Sequence, residues 1–417
     1  MKNRFPRVAL IAVAGFVAVL ALAPVRPVFS QAASSKQTPS KAAAKPLKAA
    51  EEAIRAKKYD AAQAKLKEVE ALPEKTGYDE FLVNEMQGYL DTRAKNYPGA
   101  EKDLEASLNS GFMKQSEVPA RVKELATINL DIKDYNKAID FGMRAIKGGF
   151  ADDATYQVLE QAYYLKGDQK ATLRFVNDYV DQQIKAGKTP KENSLKTIMS
   201  ACIALKDQNC EQHAFERLVL YYPKGDYWGN LINSLFSSDD YKEDVPKLQL
   251  LRLAFDVNVL KNPPDFTDMA QLDLDENNPG EAVRVLQKAL DSNVFTEQRE
   301  KAKNERILAA AQKRSTDEQA ALSQKTTQAA SAPNGQASVA LGLTFIGFQQ
   351  YPQAVTALQQ GIQKGGLQNA ASAQLLLGIA QLKAGNKDDA LKTFHSVKGD
   401  PKFERLASLW ALHARQA

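Results

Sequence analysis

The sequence predicts an all-α fold, a solenoid of stacked helix-turn-helix units interrupted by a charged helix and linker. Three observations predict it. The composition is that of a folded chain, with 44% in the A/V/I/L/M/F/W/Y/C class and 25% charged, yet only 8% is aromatic, and Ala, Leu, Gln and Lys are abundant, which favours helices over strands. A chain of 417 residues is too long for one ordinary hydrophobic core, so its apolar residues must serve several packed units. One arrangement of small and large residues also returns along the chain, six of its eight intervals lying between 34 and 42 residues.

At the N-terminus, Lys2, Arg4 and Arg7 precede an apolar run from Val8 to Ala23, Pro24 and Pro27 break it, and Val28-Phe29-Ser30 lead to a cut near Gln31. Residues 1–30 read as a secretory signal peptide, which implies a periplasmic or secreted protein. The run is 16 residues, short of the ~20 a spanning helix needs. An uncleaved inner-membrane anchor is the alternative; after cleavage no membrane insertion is expected. No cysteine follows closely, so a lipid-anchored cysteine is excluded. Cleavage removes four basic residues and no acid, and takes the net charge from +5 to +1. Nothing in that balance argues for nucleic acid, which needs a clustered basic face. Residues 31–48, rich in Ala, Ser, Lys and Pro, read as a disordered tether.

The repeating pattern then begins. Tyr97-Pro-Gly-Ala100 is followed by Leu104 and Ser107, Tyr135-Asn-Lys-Ala138 by Gly142 and Ala145, and Tyr351-Pro-Gln-Ala354 by Leu358 and Gly361. In Lys387-Asp-Asp-Ala390, followed by Phe394 and Val397, Lys replaces the Tyr. Gly88, Ala126, Gly342 and Gly378 each stand twelve residues before the Ala. The column of that Ala runs through Ala62, Ala100, Ala138, Thr172, Ala214, Asp244, Ala282, Ala354 and Ala390, with gaps of 38, 38, 34, 42, 30, 38, 72 and 36 residues. The gap of 72 equals two units, which leaves room for one degenerate repeat. Thr172 and Asp244 depart from the pattern.

These residues resemble the tetratricopeptide repeat, a 34-residue helix-turn-helix unit with a large residue at position 4, Leu-Gly at 7 and 8, an aromatic at 11, Ala at 20 and a large residue at 24. Leu341-Gly342 and Leu377-Gly378 reproduce the Leu-Gly pair, Trp228, Leu231, Ile232 and Leu235 fall at positions 4, 7, 8 and 11, and Tyr156, Leu159 and Tyr163 match another unit. The resemblance covers residues 43–400 and implies a right-handed superhelix, in which small residues let the two helices of a hairpin approach and large ones fill the space between hairpins. Residues 49–295 form an N-terminal array, 296–335 a charged helix and linker, and 336–417 a C-terminal array whose last residues, from Phe403, are a capping helix. Within the interruption, Glu297 to Lys313 should be helical, and Ser315 to Pro333, without an apolar stripe, should be loose.

Motifs that carry chemistry are weak. Gly187-Lys188-Thr189 resembles the end of a phosphate loop, but position 182 is Gln, a helix precedes it and Pro190 follows. Asp273-Leu-Asp275-Glu-Asn277-Asn-Pro-Gly280-Glu281 resembles a calcium loop, with its Gly misplaced and Arg284 where the last ligand should stand. His213, His395 and His413 have no metal-ligand spacing. No metal, cofactor or catalytic residue is therefore expected. Cys202 and Cys210 admit two arrangements: a disulfide stapling one hairpin, or a buried Cys202 with Cys210 unpaired.

The resemblance places positions 2, 5, 9 and 12 of each first helix on a concave face where partner proteins or peptides bind. There the last two units present Val339, Leu343 and Ile346, then Leu375, Ile379 and Leu382. These six either form an open groove for a partner or are covered by the chain itself, with the helix at 297–313 or the cap at 403–417 doing so. A Lys-Asn carboxylate clamp is not matched, since Lys123 at position 5 is followed by Thr127 at 9. The expected function is a non-catalytic scaffold or adaptor of the cell envelope. A self-associating structural component is the alternative.

Overall fold

The computed structural model describes residues 37–416; the segment read as a signal peptide and the first residues of the expected tether lie outside the described residues. Among the described residues there are twenty α-helices and no strand. They divide into two compact units, one ending at Asp134 and including Arg144–Phe150, the other comprising Tyr135–Met143 and Ala151 onward.

The first unit holds α1 (Lys41–Arg55), α2 (Tyr59–Glu70), α3 (Gly77–Ala94), α4 (Tyr97–Asn109) and α5 (Val118–Asp131), with α6 (Tyr135–Lys147) divided between the units. α1 starts inside the stretch expected to be a tether. Ser40 caps it by accepting the Ala43 N–H, and Ala43, Leu47, Ala50 and Ile54 are buried against α2 and α3 at helical spacing. Ala-rich sequence and a buried stripe outweigh Pro46. Thr76 and Asp79 form a capping box at the start of α3. Asp79, fully buried, also accepts the Ser40 N–H at 2.9 Å, tying the starts of α1 and α3 together. Burial pushes its carboxyl up, but the N–H groups of Thr76 and Ser40 outweigh that and hold it below its ordinary range.

The hairpins close as the columns predict. An ideal Cβ on Gly88 would lie 2.4 Å from Leu104 Cδ2, and one on Gly342 would lie 2.5 Å from Leu358 Cγ, so position 8 must be small because position 24 of the same hairpin fills its place. The turns carry a residue in the left-handed region: Lys57, Lys95, Lys206, Asn277 and Gln349, with Gly167 and Gly385 in two of them.

The second unit continues with α7 (Asp153–Lys166), α8 (Gln169–Lys185), α9 (Glu192–Leu205), α10 (Gln208–Tyr221), α11 (Gly225–Phe236), α12 (Asp244–Asp256), α13 (Pro263–Asp275) and α14 (Pro279–Asp291). Then come α15 (Gln298–Ser331), α16 (Gln336–Gly347), α17 (Tyr351–Lys364), α18 (Ala370–Lys383), α19 (Lys387–Ser396) and α20 (Pro401–Gln416). Thr172 replaces Ala at no cost in hydrogen bonding, because its buried hydroxyl donates to the Asp168 carbonyl at 2.9 Å. Asp244 does not occupy a close-packed position. The short 3-10 turn Asp239–Tyr241 shifts the register, Asp244 is exposed at the start of α12, and the buried run begins at Pro246.

Residues 296–335 differ most from expectation. The segment is neither a degenerate hairpin nor half loose: α15 is one helix of 34 residues. Its first part buries Asn304, Leu308 and Ala311, the latter two against the α13–α14 core, and its last turns bury Ala329 against Leu341 and Ala357 of the next hairpin. The residues between are held by helix propensity and a few contacts: Leu322 packs beside Leu341, Arg314 donates to the Leu274 carbonyl, and Glu318 accepts from Thr344. The composition shift at 296 therefore marks no division between compact units; α14 and α16 touch directly.

Candidate interaction site

The middle of α12 is buried on all sides. Pro246, then Leu248 through Ala254, are inaccessible, and in the middle of that run stands Arg252. A surface helix of a solenoid would bury one stripe; this one is enclosed because α20 packs on it. α20 lies against α18 and α19 and also against α10 and α12. It therefore does more than cap the last hairpin. Its apolar side chains Phe403, Leu406, Trp410 and Ala414 join one core with Trp228, Leu231, Leu250 and Leu253. Polar contacts hold it along its length. At its start, Lys402 Nζ pairs with Glu243 at 2.8 Å and Arg405 with Glu216. At its end, His413 Nε2 meets Asp256 Oδ2 at 2.9 Å, and Gln416 donates to the Val219 carbonyl at 2.7 Å.

This packing decides the fate of the six residues proposed as a partner groove. Leu343 and Ile346 are buried, and Val339 partly so, in a core with Leu358, Leu376 and Leu377. Leu375 and Ile379 are buried, with Leu382 packed beside them, in the core that holds Trp228 and Trp410. They form no open groove, because α20 and the neighbouring hairpins remove them from water. Of the two readings, the structure matches the one in which the chain covers itself: α20 covers Leu375 and Ile379, and α14, α15, α17 and α18 surround the residues of α16.

Under this closure lies a network that sequence reasoning did not find. Arg252 Nε donates to Glu281 Oε2 and its Nη2 to Asp273 Oδ1, both at 2.8 Å. Asn278 Nδ2 donates to Glu281 Oε2 at 2.8 Å and Arg284 Nη2 to Glu281 Oε1 at 3.1 Å. Asp273 and Glu281, the two ends of the segment that resembled a calcium loop, thus turn to a guanidinium. Burial, and then the charge of Glu281, push the Asp273 carboxyl well above its ordinary range. Burial also opposes ionisation of Glu281, but Arg252 and Arg284 outweigh it and hold that carboxyl below its ordinary range. The two carboxyls are thus pushed in opposite directions beside Arg252. The signal available in the sequence was the Arg within Leu248-Gln-Leu-Leu-Arg252-Leu-Ala, a charge inside a run with no polar face.

A cavity of about 210 Å³ adjoins the network, lined by Arg252, Asp256, Glu281, Arg284, Lys383 and Trp410 among others. Lys383 pairs with Asp256, which burial pushes up but His413 and Lys383 hold below the carboxylate range. Among the described residues no group of His, Cys, Asp and Glu side chains could hold a metal ion, and no helix is long and apolar enough to cross a membrane. Gly187-Lys188-Thr189 is an exposed turn between α8 and α9. Cys202, at the end of α9, is bridged to Cys210 in the first turn of α10, with Cα atoms 5.4 Å apart.

The tetratricopeptide repeat family matches residues 339–401. No curated protein matches the sequence. Among solved structures the chain is similar to the TPR2AB-domain:pHSP90 complex of yeast Sti1, at 14% identity, TM-score 0.25, covering 72% of this chain and 96% of that one. It is also similar to a tetratricopeptide repeat protein from Parabacteroides merdae, at 11% identity, TM-score 0.29, covering 79% and 98%. The pentatricopeptide repeat protein PPR10 from maize is similar at 15% identity, TM-score 0.32, covering 89% and 52%. Repeats of the matched family generally serve as protein-interaction modules rather than catalysts. Hairpins with Gly-Leu contacts recur along the chain, and the stretch over α16 to α19 is the part that matches the tetratricopeptide repeat family.

Proposed function

We propose that the protein is an exported, non-catalytic adaptor of the cell envelope that holds partner proteins on the first helices of its N-terminal unit. The observation that carries this reading is a difference in burial: the apolar first-helix positions Leu343, Ile346, Leu375 and Ile379 are buried, whereas the corresponding positions of α3 and α5 are partly accessible. There Leu82, Tyr89, Thr127 and Leu130 are half-buried, a mixed apolar and polar surface of the kind transient interfaces use. Glu85 and Arg121 fix the two helices relative to each other with hydrogen bonds of 2.6 and 3.1 Å. Export is supported by the basic and apolar residues up to Ala23 and by the Cys202–Cys210 bridge, since disulfides persist in oxidising compartments.

The test uses mature protein from Gln31 with a photo-crosslinker at Tyr89 or, for comparison, at Leu375, added to an envelope extract. A distinct protein crosslinked from Tyr89 and only intrachain products from Leu375 are expected. A second copy of the chain as the sole product would put self-association in place of the adaptor reading. No product from Tyr89 would remove the N-terminal face from consideration. A periplasm-dependent reporter fused after Ser30 tests export separately.

A further inference from the structure

The cavity beneath α20 is built in two halves of different chemistry. One side carries Arg252, Arg284, Lys383, Asp256 and Glu281; the other carries Phe255, Ile346, Leu376 and Ile379. The polar side has three cations and two carboxylates, and both carboxylates are already engaged by cations. Tyr351 adds a hydroxyl. Trp410 also lines the cavity; it is 1% exposed and its Nε1–H has no hydrogen-bond partner. A buried N–H left without an acceptor is costly, and native structures rarely keep one without a use for it. Each of the three cations is paired within the protein, so the donor that the cavity leaves without an acceptor is the Trp410 Nε1–H, which stands on the same lining as three positive charges.

We propose that this cavity binds a small carboxylate with an apolar body, the carboxylate facing the Arg284, Lys383 and Trp410 side and the body lying against Ile346, Leu376 and Ile379. The size suits such a ligand. About 210 Å³ exceeds the roughly 150 Å³ of an apolar cavity that takes benzene, and holds roughly seven waters at about 30 Å³ each. It is small for a drug-sized molecule, which needs about 300 Å³ or more. A way in exists. A more open cleft of about 500 Å³ between α14 and the turn after α16 shares Arg284 and Gln349 with the cavity. Arg284 lines the cavity as well as pairing with Glu281, so an incoming carboxylate meets a guanidinium on that side. The site is independent of the adaptor reading. Its ligand would stabilise the closed arrangement of α12, α18 and α20 by mass action.

The chemistry could come from a free short-chain or aromatic acid or from the C-terminal carboxylate of a peptide. The experiment is calorimetric titration of the mature full chain with hexanoate, benzoate, N-acetyl-leucyl-leucine, hexylamine and inorganic phosphate, each to about 10 mM, repeated on Trp410→Phe and Lys383→Gln. Hexanoate or benzoate should bind one per chain, and both variants should weaken binding at least tenfold while hydrogen-exchange protection of α20 is retained. Tighter binding of the blocked dipeptide would keep the carboxylate site and assign it to a peptide terminus. The proposal is overturned if none of the three acids gives heat. It also fails if hexylamine or phosphate binds as well as hexanoate, or if both variants bind hexanoate unchanged.

Discussion

Truncating Trp410 to Ala should open the closure. The indole is fully enclosed, stacks on Phe394 with ring centroids 6.3 Å apart, and meets His413 edge-on at 5.9 Å. A buried Trp removes on the order of 200 Å² from water, which at about 25 cal/mol per Å² is about 5 kcal/mol. Trp→Ala substitutions in cores typically cost about 3–5 kcal/mol. Trp410→Phe behaves differently. It loses part of the ring but also deletes the unpaired Nε1–H, whose burial costs about 1–3 kcal/mol, so the two effects nearly offset and the net change should stay within about 1 kcal/mol. Native-state hydrogen exchange reads this locally. In Trp410→Ala the protection of α20 amides, and of α12 amides beneath it, should fall by roughly 10² to 10⁴, each factor of ten being about 1.4 kcal/mol. Protection in α1 to α4, which belong to the other unit, should be unchanged. If Trp410→Ala leaves α20 protected, the helix is not held by its indole. If Trp410→Phe loses as much as Trp410→Ala, the N–H has a partner and the argument about its cost is wrong.

Two further expectations follow from the hairpins. Gly88→Ala gains about 1 kcal/mol in helix propensity but places a Cβ 2.4 Å from Leu104 Cδ2, an overpacking cost of about 1–3 kcal/mol. It should destabilise the wild type and stabilise a Leu104→Ala background. Urea unfolding of the four-member cycle measures the coupling, and a stabilising Gly88→Ala in the wild type would show that α3 and α4 are not in close contact. Glu192 is held at a pKa of about 2, first by Lys224 and then by the Tyr227 hydroxyl. A carboxylate with a depressed folded pKa stabilises above its unfolded value and loses that contribution as pH falls from about 4.5 through about 2. The exposed setting limits it to about 1 kcal/mol. Glu192→Gln should remove that part of the acid sensitivity, seen as a flatter stability profile below pH 4.5, and an unchanged profile would rule the contribution out.

The parts of the fold that were legible in the sequence are those whose cause is local. Gly88 with Leu104 and Gly342 with Leu358 lie sixteen residues apart within one hairpin, so a small and a large residue at fixed spacing report a contact that the hairpin itself makes. Asp244 failed because the Asp239–Tyr241 turn moved the register, and an insertion within a turn leaves no periodic trace. α15 was half missed because its middle has no buried stripe; it stays helical on Ala, Gln and Lys propensity between two anchored ends, whereas the reading relied on amphipathicity. At the candidate site, the apolar character of Leu375 and Ile379 was legible. What covers them was not, because that depends on His413 meeting Asp256 and Gln416 meeting Val219, pairs 157 and 197 residues apart.

The closure also accounts for a charge in the least favourable place. Burying Arg252 with Asp273 and Glu281 need not stabilise the unit, since apolar residues of the same volume often do as well or better. What the network does require is arrangement. Arg252 comes from α12, Asp273 from α13, Glu281 and Arg284 from α14, and Arg284 reaches on to the Gly347 carbonyl at the end of α16. A shift of any one helix by a turn would strand a charge out of water at a cost of several kcal/mol. Apolar surfaces such as those of α12 and α18 can slide against α20 at smaller cost, because their attraction has no direction. The network therefore selects one register among the many that the apolar surfaces alone would allow. The same register places Lys383, Arg284 and Trp410 around a single cavity.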